Sequence, residues 1–163
     1  MRYSEPVLLD ATHPVDGFCC GKQALDEWIV KRANSNQRSG SSRTWITMDE
    51  DGAVAGYYAS ATSSILRSDA TSRAGRNQPE QIPAILLGRL AVDQKHRDEH
   101  LGSALLKHFI LKGIEVSQIV GVRLLLVHAM DDEAHNFYLH HDFEPSPFDS
   151  LTLMLTIQDA IAA

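Results

Sequence analysis

The sequence predicts an α/β fold, a mixed central sheet flanked by helices, built as one domain over residues 1–163. Three observations carry this. Two apolar runs, residues 84–92 and 123–128, have the length and composition of buried strands. Each leads through a polar turn into residues with helical spacing. No repeat, linker or shift in composition divides the chain, and 163 residues are enough to bury one core.

The elements follow in order. Pro6-Val7-Leu8-Leu9 is a short first strand. Residues 22–34 form a helix, because Leu25, Trp28, Ile29 and Ala33 fall three and four apart, and Gly21 closes the loop before it. Gln37 to Arg43 is a polar loop. Residues 44–48 are β-rich, Asp51-Gly52 signals a hairpin, and 54–60 return as a strand with Gly56 a candidate bulge. Residues 67–84 show no periodicity and read as a long, mobile loop. Residues 84–92 form a central strand. Residues 101–116 form a helix with Leu101, Leu105, Leu106, Phe109, Ile110 and Ile114 on its buried side. After the strand 123–128, Asp131-Asp132-Glu133 opens an acidic helix start, and Ala134, Phe137, Tyr138 and His141 follow at helical spacing. Residues 151–157 close the chain as a strand. The order is β-α-β-β-β-α-β-α-β, which implies a sheet packed by helices.

Apolar residues make up 44% of the chain and charged ones 22%, the balance of an ordinary globular protein. No apolar run approaches the roughly 20 residues needed to cross a membrane. The start Met1-Arg2-Tyr3-Ser4-Glu5-Pro6 lacks the design of a signal peptide, so a cytoplasmic protein with no membrane partner is expected. Cys19 and Cys20 are neighbours, a spacing that rarely gives an unstrained disulfide, and two thiols are too few for a structural zinc site; free thiols are expected. A net charge of −6 argues against coating nucleic acid by bulk attraction. Yet residues 22–76 hold eight Lys and Arg against six Asp and Glu, a local +2 that leaves −8 elsewhere. A basic front on an acidic body can meet a polyanion; a solvated surface of mixed charge is the plain alternative.

The chemistry concentrates at residues 84–106. A strand feeds a helix through a loop holding Arg97 and Gly102. The free N–H groups of a first helical turn and the helix dipole favour an anion there. The loop lacks the Gly-Lys-Ser/Thr ending of a Walker A and the three glycines of a dinucleotide fingerprint. A single pyrophosphate cradle remains, with a plain connecting loop as the alternative. His96 with His100, and His135 with His140 and His141, lack a cysteine or carboxylate at metal-site spacing, so no metal is expected. No Gly-x-Ser-x-Gly elbow supports a serine hydrolase.

The run Arg97 to Gly102 resembles the acyl-CoA motif of the GNAT N-acetyltransferases, Arg/Gln-x-x-Gly-x-Gly/Ala, and the strand order agrees with that fold over nearly the whole chain. The resemblance implies acetyl-CoA as co-substrate, held by Leu90, Ala91, Val92, Arg97, Asp98, Glu99, His100, Leu101, Gly102, Ser103, Asn136 and Tyr138. His100 stands at the first glycine of the motif. A histidine there is expected to take ordinary helical or bridge dihedrals and to weaken or shift binding without abolishing it. The resemblance further implies that Asn136 meets the pantetheine arm and that the Tyr138 phenol lies near the sulfur as the catalytic acid. A positioned phenol that protonates the leaving thiolate contributes typically ~10²–10⁴-fold. The plain alternative makes Phe137 and Tyr138 core aromatics. No Asp or Glu on residues 85–92 is an evident base. An α-amine, with a reference pKa near 8, needs less help than a lysine near 10.4, which favours an α-amine acceptor.

A narrower likeness covers Phe18-Cys19-Cys20-Gly21, Ala24 to Trp28, Asn36 to Gly40, Ser42-Arg43-Thr44, Leu87 to Asp93, and Phe137-Tyr138 with Phe143-Glu144-Pro145. These segments resemble, in order, the GNAT toxins of bacterial toxin–antitoxin pairs. That resemblance implies acetylation of the α-amine of aminoacyl-tRNA, a block of translation, a ribbon–helix–helix antitoxin as partner and a homodimer. The tRNA phosphates would then meet Lys31, Arg32, Arg38 and Arg43, with Arg73 and Arg76 adjoining, and Arg89 would serve the substrate's 3′ end. A GNAT enzyme acting on a small amine or a protein N-terminus is the second reading. A non-catalytic acyl-CoA-binding module is the third.

Overall fold

The computed structural model describes residues 2–163. Seven strands make one mixed sheet: β1 (Val7–Leu8), β2 (Arg43–Met48), β3 (Val54–Leu66), β4 (Gln81–Val92), β5 (Leu124–His128), β6 (Glu144–Pro145) and β7 (Thr152–Thr156). The helices are α1 (Gln23–Lys31), α2 (Ala33–Ser39), α3 (Ser72–Gly75), α4 (Leu101–Ser117), α5 (Asp132–His140) and α6 (Ile157–Ala162). The strand order is β1-β2-β3-β4-β5-β7-β6. β4 and β5 are parallel; β1–β2, β2–β3, β5–β7 and β6–β7 are antiparallel. The chain forms two compact units, residues up to 61 with 88–109, and 62–87 with 110–163.

In the first unit, α1 and α2 bury Leu25, Trp28, Ile29 and Ala33 against Phe18, Ile46, Tyr57 and Ala59. Leu25, Ile29, Phe18 and Ile46 stabilise by about 1.5–3 kcal/mol each when removed from water. Trp28 stacks on Tyr57 at 6.0 Å, and the Tyr57 hydroxyl donates to the Leu25 carbonyl at 2.7 Å. α4 packs on these strands as well: Tyr58 meets Phe109, midway along that helix, edge to face. Gly56 is required by that packing: a Cβ there would lie 2.9 Å from Leu105 Cδ1 and 3.1 Å from the Ala91 carbonyl. The bulge expected at Gly56 falls beside it. Thr47 pairs with Gly56 and Met48 with Val54, which leaves Ala55 as the extra residue.

The single helix expected over 22–34 is two helices, and α2 reaches into the expected loop to end at Gly40, which has a left-handed φ of 82°. The break is Arg32, at φ −121° and ψ −34°. Ala-Asn-Ser-Asn-Gln-Arg-Ser has no apolar period to advertise a helix. Tertiary bonds hold it: Gln37 donates to the carbonyls of Leu9 and Thr44 and accepts from the Thr44 N–H.

In the second unit, Ile65, Ile82, Ala84, Leu124, Leu126 and Met154 form the core with Ala70 and Ala74. The long loop expected at 67–84 is mostly ordered. It holds a 3-10 turn, then α3, capped by Thr71, and β4 starts already at Gln81. Arg123 holds α3 in place by donating to the carbonyls of Ala74 at 3.1 Å and Arg73 at 3.0 Å. The last strand ends at Thr156, whose hydroxyl caps α6, a helix too short for its period to stand out in the sequence. β6 is likewise an unexpected two-residue strand. No helix among the described residues is long and apolar enough to cross a membrane.

Candidate active site

Leu90, Ala91 and Val92 bring β4 to its carboxyl end, and Asp93 secures the turn beyond it. This buried carboxylate accepts the N–H groups of Cys19 and Lys95, both at 3.0 Å, while the Asp93 N–H donates to Ala55. Cys19 and Cys20 are free thiols; burial pushes the Cys20 thiol up to about 11. His96 is buried between the Asp49 carboxylate at 3.0 Å and the Tyr3 hydroxyl at 2.8 Å, a structural post beneath the loop. Arg97 reaches back to donate to the Cys20 carbonyl at 3.0 Å. Its guanidinium lies over Gly21, at φ 93°, where a Cβ would come within 3.1 Å of it.

The loop then rises into α4 through Asp98, Glu99 and His100, all exposed. His100 does not take the ordinary dihedrals expected of it: its φ is 58°, and Asp98 has 67°. The backbone keeps the left-handed bend that glycine would adopt freely, and a side chain is carried on it at a strain of roughly 1–2 kcal/mol. The reason is downstream. The His100 carbonyl accepts the Ala104 N–H at 3.2 Å, so His100 must start α4 while the chain turns sharply out of the loop. Leu101 is buried, and Gly102 and Ser103 are half-buried. The first-turn N–H groups at Leu101 and Gly102 have no intrahelical acceptor. A 17-residue helix with left-handed residues before it suits a diphosphate.

In the second unit, α5 follows β5. Asp131 caps α5, its carboxylate accepting the Ala134 N–H at 2.9 Å. Asn136 is exposed on that helix. The neighbouring His135 keeps a buried Nε2 without a hydrogen-bond partner. Tyr138 is 6% exposed, between Phe137 at 5.3 Å and Phe143 at 5.8 Å. Burial raises the phenol well above its ordinary range, so it is protonated at neutral pH. Tyr138 is thus packed as a core aromatic and carries its phenol proton.

The basic residues divide. Arg32 and Arg38 are exposed. Lys31 lies 3.9 Å from Glu27, and Arg43 donates to the Gln37 carbonyl at 2.9 Å. All four belong to α1, α2, β2 or the residue between the helices, in the first unit. Arg89, half-buried, lies over the Trp28 ring at 4.5 Å, a cation–π contact that orients its head. Arg73, still exposed, forms a two-pronged pair with Asp159 at 2.8 and 2.6 Å. Arg76 is exposed. Among the described residues no group of three or more His, Cys, Asp or Glu is arranged to hold a metal.

The sequence did not single out Asp93, or His128 with Thr152 and Asp149. The histidine that ends an apolar strand run just before a helix start was the available signal; its partners lie more than 20 residues away.

The mixed sheet, with α4 opening at an anion-ready tip in the first unit and α5 carrying a buried phenol in the second, has the parts of an acyl-group transferase. The chain belongs to the GNAT acetyltransferase family, matching the family described as "Acetyltransferase (GNAT) domain" over residues 40–145. It is 44% identical over 160 residues to the "tRNA-acetylating toxin" of Mycobacterium tuberculosis, covering 98% of this chain and 96% of that one. The solved structure of AtaT complexed with acetyl-methionyl-tRNAfMet shares the fold with a TM-score of 0.90 at 24% identity, over 99% of this chain and 98% of the other. That of AtaTR bound with AcCoA matches with a TM-score of 0.84 at 25% identity, over 98% and 96% of the chains.

Proposed function

We propose that this chain is the toxin of a toxin–antitoxin pair, a single acetyltransferase domain over residues 1–163 that moves acetyl from acetyl-CoA to the α-amine of an aminoacyl-tRNA. The observation that carries this is the near full-length, 44% identity to a tRNA-acetylating toxin. The local chemistry agrees. Backbone N–H groups at Leu101 and Gly102, with Ser103 and the loop Arg97, Asp98, Glu99 and His100, would hold the diphosphate. Leu90, Ala91, Val92 and Asn136 would line the pantetheine arm. Acetyl-CoA supplies an activated thioester; Tyr138 supplies the proton its leaving sulfur needs.

Lys31, Arg32, Arg38 and Arg43 give an acidic protein a basic surface, which supports phosphate contact with tRNA. Arg89, oriented by Trp28, is the cation proposed for the acceptor's 3′ end. Neutralisation by a ribbon–helix–helix antitoxin, a homodimeric state and a cytoplasmic site of action complete the reading. Induced expression in a bacterium tests it. Growth should stop, acetylated aminoacyl-tRNA should be found by mass spectrometry, and Tyr138→Phe should relieve both. Growth arrest without acetylated aminoacyl-tRNA would overturn the substrate assignment.

A further inference from the structure

We propose that His128 is the proton acceptor for the aminoacyl amine, held as the Nε2 base by a relay from Asp149 through Thr152. This rests on acetyl transfer to an aminoacyl-tRNA as proposed above. His128 ends β5 directly opposite Thr152 of β7. Its Nδ1 lies 3.1 Å from Thr152 Oγ1, and Thr152 Oγ1 lies 2.8 Å from Asp149 Oδ2. The other carboxylate oxygen, Asp149 Oδ1, accepts the Leu151 N–H at 3.1 Å, so the anion is fixed at both oxygens.

A threonine hydroxyl has one proton to give. The carboxylate is the stronger acceptor and takes it. Toward His128 the hydroxyl oxygen can then only accept, so the neutral imidazole carries its proton on Nδ1. The lone pair is left on Nε2. The tautomer thus follows from the hydrogen-bond order, as such assignments must.

The ring lines a cavity of about 470 Å³, a size that suits a small organic group. Leu66, Leu126 and Phe148 give it an apolar wall, and Phe148 is 77% exposed on the rim. Its charged lining residues are Asp69 and Asp149, with no Lys or Arg. Such a lining suits an ammonium with an attached side chain and repels phosphate. The place is also where an α/β sheet takes ligands, at the carboxyl ends of parallel strands. Pairing of β4 with β5 runs from Ala84↔Leu124 to Leu87↔Val127, and His128 is the next residue.

The step balances as follows. The α-ammonium gives one proton to His128 Nε2. The free amine attacks the thioester carbonyl carbon, forming C–N. As the adduct collapses, C–S breaks and the amine's second proton goes to water. The thiolate takes the Tyr138 phenol proton, and Tyr138 recovers one from solvent. His128 returns its proton to water, so one proton is released per turnover.

The test uses the full chain, acetyl-CoA and aminoacyl-tRNA. His128→Gln should lower kcat about a hundredfold or more and remove the acidic limb of the pH profile. That limb reflects an imidazole that must be neutral to accept a proton, faced by Asp69 and Asp149 from the cavity wall and by neutral Thr152 from β7. The dissociation constant for acetyl-CoA should not move. Thr152→Val should lower kcat and shift the limb, and Thr152→Ser should restore both, which a merely structural role would not produce. Wild-type kcat with an intact acidic limb in His128→Gln would overturn the proposal; if that variant does not fold, wild-type behaviour in Thr152→Val does so. Should the wild type acetylate only small amines, the tRNA reading fails, and His128 is judged by the same variants on that amine. A wild-type chain that acetylates no amine overturns both.

Discussion

Phe143 donates its backbone N–H to the Tyr138 carbonyl at 3.1 Å, and the two rings meet edge to face at 5.8 Å. With the Asp142 N–H on the Leu139 carbonyl at 3.1 Å, and Asp142 left-handed at φ 72°, these bonds form a Schellman closure of α5. The proposed acid therefore sits at the point where its own helix is locked, which limits its freedom without any bond to the phenol.

Removing that phenol should separate catalysis from folding. Tyr138→Phe keeps the ring packing and should lower kcat by ~10²–10⁴-fold while stability stays within about 1 kcal/mol. Tyr138→Ala should lose about 3–5 kcal/mol through the cavity it leaves. Acetyl-transfer assays beside urea titrations check both.

Asp142 occupies a position that favours glycine. Asp142→Gly should stabilise the protein by about 0.4–1 kcal/mol, since the left-handed strain outweighs the added chain freedom. A urea midpoint that falls would show that the Asp142 side chain holds something else.

His100 is the parallel case at the α4 tip. His100→Gly should give a similar gain and, by letting the backbone approach the diphosphate more closely, a lower dissociation constant for acetyl-CoA. Calorimetry on both proteins decides it. Equal constants would mean that the left-handed bend already present in the wild type provides all the approach the ligand uses.

Arg89 should tolerate neither truncation nor exchange. Arg89→Ala should abolish tRNA acetylation, and Arg89→Lys should recover little, because an ammonium lacks the planar head that lies on Trp28. Unchanged acetylation in Arg89→Ala would refute its role at the acceptor end.

Acid should unlock the Asp49 post. The Ala53 N–H, followed by His96, holds this carboxyl below its ordinary range. A depressed folded pKa stabilises the fold above the unfolded value near 3.9, and that stability is lost as pH falls through the folded value. Asp49→Asn should thus be less stable than wild type at pH 7, with the gap closing below about pH 4. Denaturation midpoints at the two pH values measure it.

The sheet was legible because its strands are short apolar runs and its turns carry their own chemistry. Residues 84–92 and 123–128 became β4 and β5, and Leu101, Leu105 and Phe109 are buried as their period requires. α2, α3 and α6 were not legible, since polar or very short segments show no apolar period. α2 is tied by Gln37 to Leu9 and Thr44, α3 is held by Arg123, and α6 has only the local cap of its neighbour Thr156. Arg73 is a surface cation as read, but its pairing with Asp159, 86 residues away, has no local signature.

By itself the sequence determined the order of the main strands and of α1, α4 and α5, the helix tip at Gly102 and the tyrosine on α5, because periodicity, turn residues and helix-terminal amides act over a few neighbours. Only the tertiary structure decided that His100 would bend left-handed, that Arg89 would lie on Trp28 and that His128, Thr152 and Asp149 would line up. Those outcomes depend on strands and loops distant in the chain being brought within hydrogen-bond or stacking distance, and no local spacing encodes that.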